Sequence, residues 1–392
     1  MMTAHLRTQP QRKKKRITIL GSTGTIGVNA LKLHAMHPER FAVAALVAGD
    51  NVKLLIEQAH TFKPQIVVVA NDDYYSELKN ALSGTGITIA GGSQAVLEAA
   101  QHPADIVLSA IVGAAGLKPT LAAIDSGTPI ALANKESLVC AGTIFMQRAA
   151  QKHVAVIPVD SEHNGLFQLF DTAKPDGVEG ITLTASGGPF RTWSMEQMHS
   201  VTPERAVQHP NWNMGAKISV DSATMMNKGL EMIEAKHLFP LAPDQIDVLV
   251  HPQSIVHCLV RMKDGSVLAQ MSQPDMCIPI AHALSWPERI QTPTPKLDLA
   301  QLKSLEFEAP DEVRFPALRV ARAAMHAGGS APCALNAANE VAVQQFLSGK
   351  IGFTDIVKRV ERTLEKMDNA EPATIDDVLA CDAEARNITK GH

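Results

Sequence analysis

The first 155 residues alternate short apolar runs with amphipathic stretches. The apolar runs are ITIL, FAVAALVAG, QIVVVA, DIVLSAIVG, PIALAN and VAVIPVD, and the stretches between them include VNALKLHAMH, VKLLIEQAH and LKPTLAAIDSG. Strands that are apolar on both faces are typical of a parallel sheet covered by helices on both sides. The pattern therefore predicts a Rossmann-like, doubly wound α/β domain over residues 15–155.

The remaining residues follow three other patterns. Residues 156–285 mix four strand-like runs, GITLTASG, DVLVHP, IVHCLVRM and SVLAQM, with one strong helical stretch, which is typical of a smaller α+β domain. Proline and charge mark residues 286–314 as a linker. Four helical patterns then predict a small C-terminal helical domain over residues 315–392.

Composition limits the classes of partner. A formal net charge of -4 and an aromatic content of 4% give no reason to expect nucleic acid. The five cysteines are widely spaced and never form C-x-x-C, which argues against a disulfide framework and a zinc site. No apolar run reaches the roughly 20 residues of a membrane helix, and the basic N-terminal segment lacks the apolar stretch of a signal peptide. We expect a cytoplasmic protein that binds small molecules and no membrane.

A glycine-rich turn follows the first predicted strand. In TILGSTGTIG, Gly21, Gly24 and Gly27 lie where a helix opens, so that a pyrophosphate could approach the backbone and the helix N-terminus. The G-x-x-G-x-x-G spacing differs from the common dinucleotide fingerprint, so a plain tight turn is the alternative. About twenty residues further on, Asp50 occupies the position of an acid that binds the ribose 2′-hydroxyl, which favours NAD over NADP.

Two acids follow the last strand of the first domain. VIPVDSEHN contains Asp160 and Glu162, whose carboxylates project to the same side if the backbone is extended. Two close acids repel unless a cation lies between them, and such oxygen ligands suit Mg²⁺ or Mn²⁺. The alternative is that Asp160 caps a helix and Glu162 is solvated. His163, taken alone, is more often structural.

The stretch SVDSATMMNKGLEMIE supplies a third acid. Lys228 and Glu231 share a helical face, as do Glu231 and Glu234. A solvent-exposed ion pair is the simpler explanation, but it does not account for Ser222 and Asn227 just upstream. Hydroxyl and amide donors beside a lysine suit a phosphate, and an acid one turn away can reach a metal ion next to it.

Three further segments are candidate ligand loops. LTASGGPFR has a turn that can present backbone N–H groups to an anion, and HPNWNMGAK is consistent with a flexible lid near residues 204–216. Ordinary turns, with Trp212 as a packing anchor, are the alternative for both. ALANKESLV places Asn134, Lys135 and Glu136 at a strand end, the side of an open α/β sheet on which ligands bind.

Together, these segments resemble one enzyme family. GSTGTIG, LANKESLV, PVDSEHN, SGGPF, HPNWNMGAKISVDSATMMNKGLE, HPQSIVH and ALNAANE are similar, in order and spacing, to 1-deoxy-D-xylulose 5-phosphate reductoisomerase over residues 17–384. The resemblance implies an NADPH-dependent oxidoreductase with a divalent cation. Such an enzyme isomerises and reduces 1-deoxy-D-xylulose 5-phosphate to 2-C-methyl-D-erythritol 4-phosphate in the non-mevalonate isoprenoid pathway. It also implies a homodimer with a flexible loop over the site.

The resemblance also implies a role for each group of site residues. The metal ligands would be Asp160, Glu162 and Glu231, and His163 and His257 would lie near the reacting centre. Trp212 and Met214 would belong to the closing loop. The substrate would be bound by Lys135, Ser161, Ser186, His209, Ser222, Asn227 and Lys228, with Ser186, Ser222, Asn227 and Lys228 on its phosphate. The cofactor would contact Gly21, Ser22, Thr23, Gly24, Thr25, Ile26, Gly49, Asp50, Asn51, Asn134, Glu136 and Gly215.

Asp50 departs from the family pattern, in which this position is commonly basic or neutral. Either Asp50 turns away and Ser22, Thr23 and Asn51 contact the 2′-phosphate, or the preference for NADPH is weakened. We hypothesise that NADPH use is retained but less stringent.

Two other functions remain open at this point. A metal-independent NADP-linked oxidoreductase, such as a semialdehyde dehydrogenase, would use the same first domain but would need an acyl-accepting cysteine in a polar loop. The sequence places no cysteine in such a loop. A noncatalytic nucleotide-sensing module would bind NADPH without turnover, and three converging acids argue against it.

Overall fold

A seven-stranded parallel sheet forms the first unit of the computed structural model, which describes residues 13–171, 174–212 and 214–391. The strand order is β4-β3-β2-β1-β5-β6-β7. The strands are β1 Lys15–Leu20, β2 Phe41–Ala48, β3 Ile66–Val69, β4 Thr88–Gly91, β5 Ile106–Ser109, β6 Ile130–Leu132 and β7 Val156–Pro158. The helices are α1 Thr25–Met36, α2 Val52–Phe62, α3 Tyr75–Ala81, α4 Gly92–Gln101, α5 Leu117–Asp125 and α6 Lys135–Gln151. The predicted Rossmann-like α/β class is confirmed.

Two details of this sheet differ from the predicted pattern. The pattern did not predict β4, a short edge strand whose first residue is exposed, or the helices α3 and α4 on either side of it. Strand β7 pairs with β6 through Ile130 and Val156. The sheet therefore continues to Pro158, beyond the boundary expected at residue 155.

A mixed four-stranded sheet forms the second unit. Its order is β11-β10-β8-β9, in which β8 and β9 are parallel and the other pairs antiparallel. The strands are β8 Val178–Ala185, β9 Ile246–Val250, β10 Val256–Met262 and β11 Val267–Met271. The helices are α7 Ser161–Leu169, α8 Met195–Met198, α9 Pro203–Ala206, α10 Ala216–Thr224, α11 Met226–Leu238 and α12 Cys277–Ser285. All four strands coincide with the predicted apolar runs.

The helical stretch predicted around Ser222 and Glu231 consists of two helices. Met225 adopts a left-handed conformation with φ of +66° and separates α10 from α11. Ser222 therefore comes from the end of one helix, whereas Asn227 and Lys228 come from the first turn of the next. The break directs both groups of side chains toward the same space.

Helix α12 returns from the second unit to the first sheet. Ile280 and Leu284 pack in one core cluster with Ile17 and Leu46 of β1 and β2. Lys15 Nζ donates a hydrogen bond of 2.9 Å to the carbonyl of Leu284. The two units are thus joined by a shared core as well as by the chain.

The C-terminal segment packs against both sheets. After the short helix α13 Leu299–Leu302, Glu308 forms an isolated antiparallel bridge with Val250 of β9. The following helices are α14 Ala317–Ala327, α15 Ala331–Leu347, α16 Asp355–Lys366 and α17 Ile375–Lys390. None of the helices described is long and apolar enough to cross a membrane.

Candidate active site

A cavity of about 450 Å³ lies between the first sheet and the second unit. On one side it is lined by Thr25 and Ile26 after β1 and by Ile111 and Val112 after β5. These two strands are neighbours at the point where the strand order reverses. Open α/β sheets bind ligands at this point, and the volume is in the range of small-molecule sites.

Three carboxylates converge in this cavity. Asp160 is the residue before α7, Glu162 lies in the first turn of α7, and Glu231 lies on α11. One oxygen from each lies within 4.8 Å of the others. The expected extended backbone across residues 160–162 is wrong, because helix α7 begins at Ser161. The carboxylates meet because they flank a helix start, and Asp160 makes no side-chain capping hydrogen bond.

Two lysines bridge these carboxylates. Lys135 Nζ contacts the Asp160 carboxylate and donates to Glu231 Oε1 at 2.9 Å and to Asn227 Oδ1 at 2.8 Å. Lys228 Nζ donates to Glu162 Oε1 at 2.7 Å and contacts the Glu231 carboxylate. Lys228 and Glu231 are 3% and 1% exposed, so the surface ion pair considered above does not describe them.

The local charges separate the pKa values of the acids. Burial, with repulsion from Glu231 and Glu162, raises the pKa of Asp160 to about 6 despite the Lys135 ammonium. Burial also disfavours the Glu162 carboxylate, but the Lys228 ammonium and the other nearby charges and hydrogen bonds together outweigh burial and lower the pKa of Glu162 to about 2. A set of three carboxylates on one wall of a cavity fits a hard divalent cation such as Mg²⁺ or Mn²⁺.

The candidate phosphate ligands lie beside the acids. Ser186, Ser222, Asn227 and Lys228 all line the cavity. The turn after Ser186 approaches α10 so closely that a Cβ on Gly188, whose φ is +68°, would lie 2.7 Å from the carbonyl oxygen of Ser222. The glycine therefore allows the two serines to face the same space.

The predicted loop residues cover the same cavity. His209 Nε2 is 2.9 Å from Ser186 Oγ, and its Nδ1 accepts the backbone N–H of Trp212 at 3.0 Å. The Trp212 ring lies edge-on to His257 at 6.4 Å between centroids. Burial lowers the pKa of His209 to about 4, so its ring is neutral at physiological pH. Met214 and Gly215 also line the cavity.

The predicted histidines near the reacting centre differ in their access to the cavity. His257 lines the cavity, and its Nε2 is 2.9 Å from Ser272 Oγ. His163 does not line it but lies buried behind the acids, with Nε2 2.9 Å from the backbone oxygen of Glu231. Burial lowers the pKa of both rings.

The expected cofactor residues divide into two groups. Gly24, Thr25, Ile26, Asn134, Glu136 and Gly215 line the cavity, whereas Gly21, Ser22, Thr23, Gly49, Asp50 and Asn51 do not. Gly21 packs against β5, where a Cβ would lie 2.5 Å from the Ala110 carbonyl oxygen. Ser22 is fully buried beside this turn, and its contact with the cofactor stays a prediction.

The residues after β2 form an exposed edge away from the cavity. Asp50 Oδ1 accepts a hydrogen bond of 2.8 Å from Asn71 Nδ2, at the end of β3. Asn51 Oδ1 accepts from Leu54 N at 3.3 Å and so caps α2. The Asn51 side chain is thus engaged, and the Asp50 carboxylate remains at the surface.

Two site residues were not assigned from the sequence. Lys217 lines the cavity and pairs with Glu136 at 3.1 Å and Asp221 at 2.8 Å. Its position within HPNWNMGAK was the available signal. Glu234 lies fully buried behind the acids. Its sequence signal was the i, i+3 spacing from Glu231.

The cysteines give no support for acyl transfer. All five lie within the described residues, all are buried, and none lines the cavity. Burial raises the pKa of the Cys277 thiol to about 11, which disfavours the nucleophilic thiolate.

Family models match most of the chain. Residues 17–142 match the model for 1-deoxy-D-xylulose 5-phosphate reductoisomerase, and residues 156–239 match that for its C-terminal domain. Residues 271–388 match a further model, the DXP reductoisomerase C-terminal domain.

Individual proteins show the same similarity. The 1-deoxy-D-xylulose 5-phosphate reductoisomerase of Rhodospirillum centenum is 57% identical over 95% of this chain and 92% of its own, and that of Gluconobacter oxydans 53% identical over 97% and 93%. The Zymomonas mobilis enzyme in complex with NADPH superposes with a TM-score of 0.92, at 49% identity over 97% of this chain and 99% of its own. A DOX-P reductoisomerase in complex with NADPH, fosmidomycin and magnesium has a TM-score of 0.91, at 42% identity over 96% and 98%.

Proposed function

The chain belongs to the 1-deoxy-D-xylulose 5-phosphate reductoisomerase family, and from this premise we propose which of its residues perform the reaction. The protein is an NADPH-dependent oxidoreductase of isoprenoid precursor synthesis. With a divalent cation it isomerises 1-deoxy-D-xylulose 5-phosphate and reduces the product to 2-C-methyl-D-erythritol 4-phosphate. The predicted family, activity and cofactors are confirmed, and the metal-independent alternative is not favoured.

Asp160, Glu162 and Glu231 hold the cation. The observation that carries this assignment is the convergence of their oxygens within 4.8 Å inside the cavity. The cation supplies Lewis-acid chemistry, because it polarises the substrate carbonyl and makes the neighbouring hydroxyl easier to deprotonate. The three side chains fix its position relative to the cofactor side of the cavity.

Ser186, Ser222, Asn227 and Lys228 bind the substrate phosphate. Hydroxyl and amide donors beside an ammonium group form charge-assisted hydrogen bonds with a phosphate. Binding at this end, away from the bond that rearranges, supplies energy for orienting the reacting end. Lys135 and Ser161 line the same cavity next to the acids and orient the substrate oxygens.

His209, Trp212 and Met214 cover the substrate. The loop places the Trp212 ring against His257, so that an apolar surface faces the reacting end. A closed cover would exclude water and would retain the isomerised substrate beside the cofactor, whose nicotinamide would supply the hydride.

The N-terminus of α1 binds the cofactor pyrophosphate. Gly24 precedes α1 and offers no side-chain cap, so the first N–H groups of the helix face the cavity together with Thr25 and Ile26. Asn134, Glu136 and Gly215 lie on the nicotinamide side. Gly21 and Thr23 shape the turn, and Gly49, Asp50 and Asn51 lie at the adenosine end.

NADPH oxidation with 1-deoxy-D-xylulose 5-phosphate tests these assignments. After EDTA treatment the protein should be inactive, Mn²⁺ should restore activity, and Glu231→Gln should lower it by at least about 100-fold. Glu98→Gln, at an exposed position on α4, is the matched control and should behave like the wild type. Activity that survives EDTA would favour the metal-independent oxidoreductase. NADPH that binds but is never oxidised with any metal would favour the sensing module.

We infer that the chain forms a homodimer through β11. This strand is at the end of the second sheet and pairs with β10 alone among the described strands. Val267 and Leu268 on it are 54% and 43% exposed. An open apolar edge strand is a template for pairing with another chain, and a second copy presents the same edge.

Light scattering after size exclusion tests the dimer. The wild type should have the mass of two chains, and the double change Val267→Lys with Leu268→Lys should give one chain. Leu299→Lys, at a 60% exposed position on α13, is the control and should remain dimeric. A monomeric wild type at micromolar concentration would contradict the inference.

A cytoplasmic location is part of the same proposal. The five cysteines are unpaired and buried, as is usual for proteins of a reducing compartment. Fractionation of cells that express the full chain tests it, and recovery in an oxidising compartment would contradict it.

A further inference from the structure

Glu234 is a buried acid without a role in the reaction as described. It lies one turn beyond Glu231 on α11, and its side chain is 1% exposed. Neither of its oxygens makes a hydrogen bond in the described part of the chain, and the nearby polar atom is His163 Nδ1, 3.3 Å from Oε2. Leaving a carboxyl group in such surroundings is unfavourable, so its presence needs an explanation.

His163 connects Glu234 to the metal-binding acids. Its Nε2 lies 2.9 Å from the backbone oxygen of Glu231. A carbonyl oxygen only accepts, so Nε2 carries a proton and donates it. Nδ1 faces Glu234 Oε2 at 3.3 Å, so the imidazole lies between the Glu231 backbone and the Glu234 carboxyl group.

The link joins the two helices that supply the metal ligands. His163 lies in the first turn of α7, next to Glu162 and three residues after Asp160, and Glu234 lies on α11 with Glu231. Through the hydrogen bond to the Glu231 backbone and the contact with Glu234, His163 is fixed to α11 at two points. This link therefore ties the start of α7 to α11 beside the three proposed ligands.

We propose that Glu234 is a positioning residue that acts through His163 to hold the α7 and α11 carboxylates at the spacing a divalent cation requires. The proposal rests on the proposed assignment of Asp160, Glu162 and Glu231 to the metal. Groups that orient metal ligands without touching the metal commonly contribute about 10- to 100-fold in metal affinity.

A second cation is the rival explanation. Asp160, His163 and Glu234 also have ligand atoms within 4.8 Å of one another. The local charge argues against it, because two ammonium groups, those of Lys135 and Lys228, already contact the acids. With one divalent cation, four carboxylates are neutralised, so no net negative charge is left to hold a second cation.

Mn²⁺ binding to the purified full-length protein, measured by calorimetry and by the loss of the free Mn²⁺ resonance signal, tests the proposal. Glu234→Leu should raise the Mn²⁺ dissociation constant by about 10- to 100-fold. Glu234→Gln should remain close to wild type, because its amide can still donate to Nδ1. Glu361→Gln is the matched control. It alters a partly buried acid that pairs with Arg319 on α14, away from the cavity lining, and should leave Mn²⁺ affinity unchanged.

Other results of the Mn²⁺ experiment would contradict either the positioning role, the single cation or the metal assignment. A folded Glu234→Leu protein with wild-type Mn²⁺ affinity would overturn the positioning role. If Glu234→Leu does not fold, His163→Leu breaks the same link and is held to the same criterion. Two Mn²⁺ ions per wild-type chain, with one lost in both Glu234 variants, would favour the second cation. Unchanged Mn²⁺ affinity in Glu231→Gln would instead contradict the metal assignment itself.

Discussion

At the scale of single residues, Asp50 places a negative charge at the adenosine end of the proposed cofactor site. Its carboxylate is exposed and accepts a hydrogen bond from Asn71. A carboxylate at the end of the second strand of a dinucleotide-binding sheet attracts a 2′-hydroxyl and repels a 2′-phosphate. NADPH is the cofactor of the family, so we expect Asp50 to affect how strongly NADPH is preferred over NADH and not which of the two is preferred.

Asp50→Lys should therefore sharpen the preference for NADPH. We expect the ratio of kcat/KM for NADPH to that for NADH to rise about tenfold, equivalent to about 1.4 kcal/mol. Steady-state kinetics with both cofactors measures it. Glu98→Lys, the same charge change on exposed α4, is the control. An unchanged ratio in Asp50→Lys would show that this residue has no part in the choice.

The proposed metal ligands could be singled out in the sequence, but their geometry could not. Asp160 and Glu162 stand out because they follow a strand, yet they converge through the start of α7 rather than through an extended backbone. Glu234 lies three residues after Glu231, a spacing that is also common among exposed residues of a surface helix. Only the packing of α7 against α11 shows that it is buried and paired with His163.

At the scale of elements, α6 and α11 pack against each other and carry the two lysines of the proposed site. Lys135 begins α6 and Lys228 lies in the first turn of α11. Further along these helices, Gly142 lies against the His237 ring, and a Cβ at Gly142 would be 2.3 Å from it. The helices approach closely because this position has no side chain.

Gly142→Ala should destabilise the protein by about 1–3 kcal/mol, as expected for overpacking a core. Because the strain separates α6 from α11, kcat should fall as well. Denaturant unfolding and steady-state kinetics check the two effects. Gly177→Ala, where the nearest atom to a Cβ is 3.5 Å away, is the control and should change neither. Wild-type stability in Gly142→Ala would contradict the packing argument.

Helix α12 carries a histidine that makes stability depend on pH. His282 is 8% exposed, and burial, assisted by Arg289, lowers its pKa to about 4. The unfolded chain binds this proton below its ordinary pKa of about 6.5, whereas the folded protein binds it only near 4. The folded state therefore loses stability as the pH falls from 6.5 toward 4, and there is no effect above 6.5.

His282→Gln should reduce this dependence. The melting temperature of the wild type should fall on acidification from pH 7.5 to 5, and the fall should be smaller in the variant. Calorimetry across this range checks it. His326→Gln, at an exposed position on α14, is the control and should keep the wild-type slope. If the melting temperatures of the wild type and His282→Gln depended equally on pH, His282 would not be a source of the pH dependence.

The hydrophobic pattern predicted the longer strands and helices but not the short ones. Central strands such as β2 are buried on both faces and read as continuous apolar runs. Strand β4 has four residues, ends in glycine and lies at the sheet edge, so its pattern is too weak to distinguish from a loop. The break at Met225 was also hidden, because methionine is a good helix former and only tertiary contacts impose its left-handed conformation.

At the scale of the whole molecule, α15 joins both units. Cys333 and Ala337 on it pack in the core cluster of the first sheet, whereas Leu335 and Ala338 pack in the cluster of the second. The sequence predicted a separate helical domain because residues 286–314 have the proline-rich, charged composition of an interdomain linker. Composition does not show which faces of the following helices are covered.

Residues 315–392 should not fold when expressed alone. Their helices would expose the apolar faces that pack on both sheets in the full chain. Circular dichroism of the fragment should show no cooperative melting, and calorimetry of the full chain should show a single transition. A fragment that melts cooperatively would contradict this shared core.

The lysine bridges described above have a consequence for the order of events. A divalent cation held at the proposed site would compete with Lys135 and Lys228, which contact the oxygens of Asp160, Glu162 and Glu231. Both lysines line the cavity, so ammonium groups displaced in this way would be free to contact a sugar phosphate there. Cation and substrate are then thermodynamically linked, and each should raise the affinity for the other by the same factor. The enzyme thus favours the complete set of ligands over either one alone.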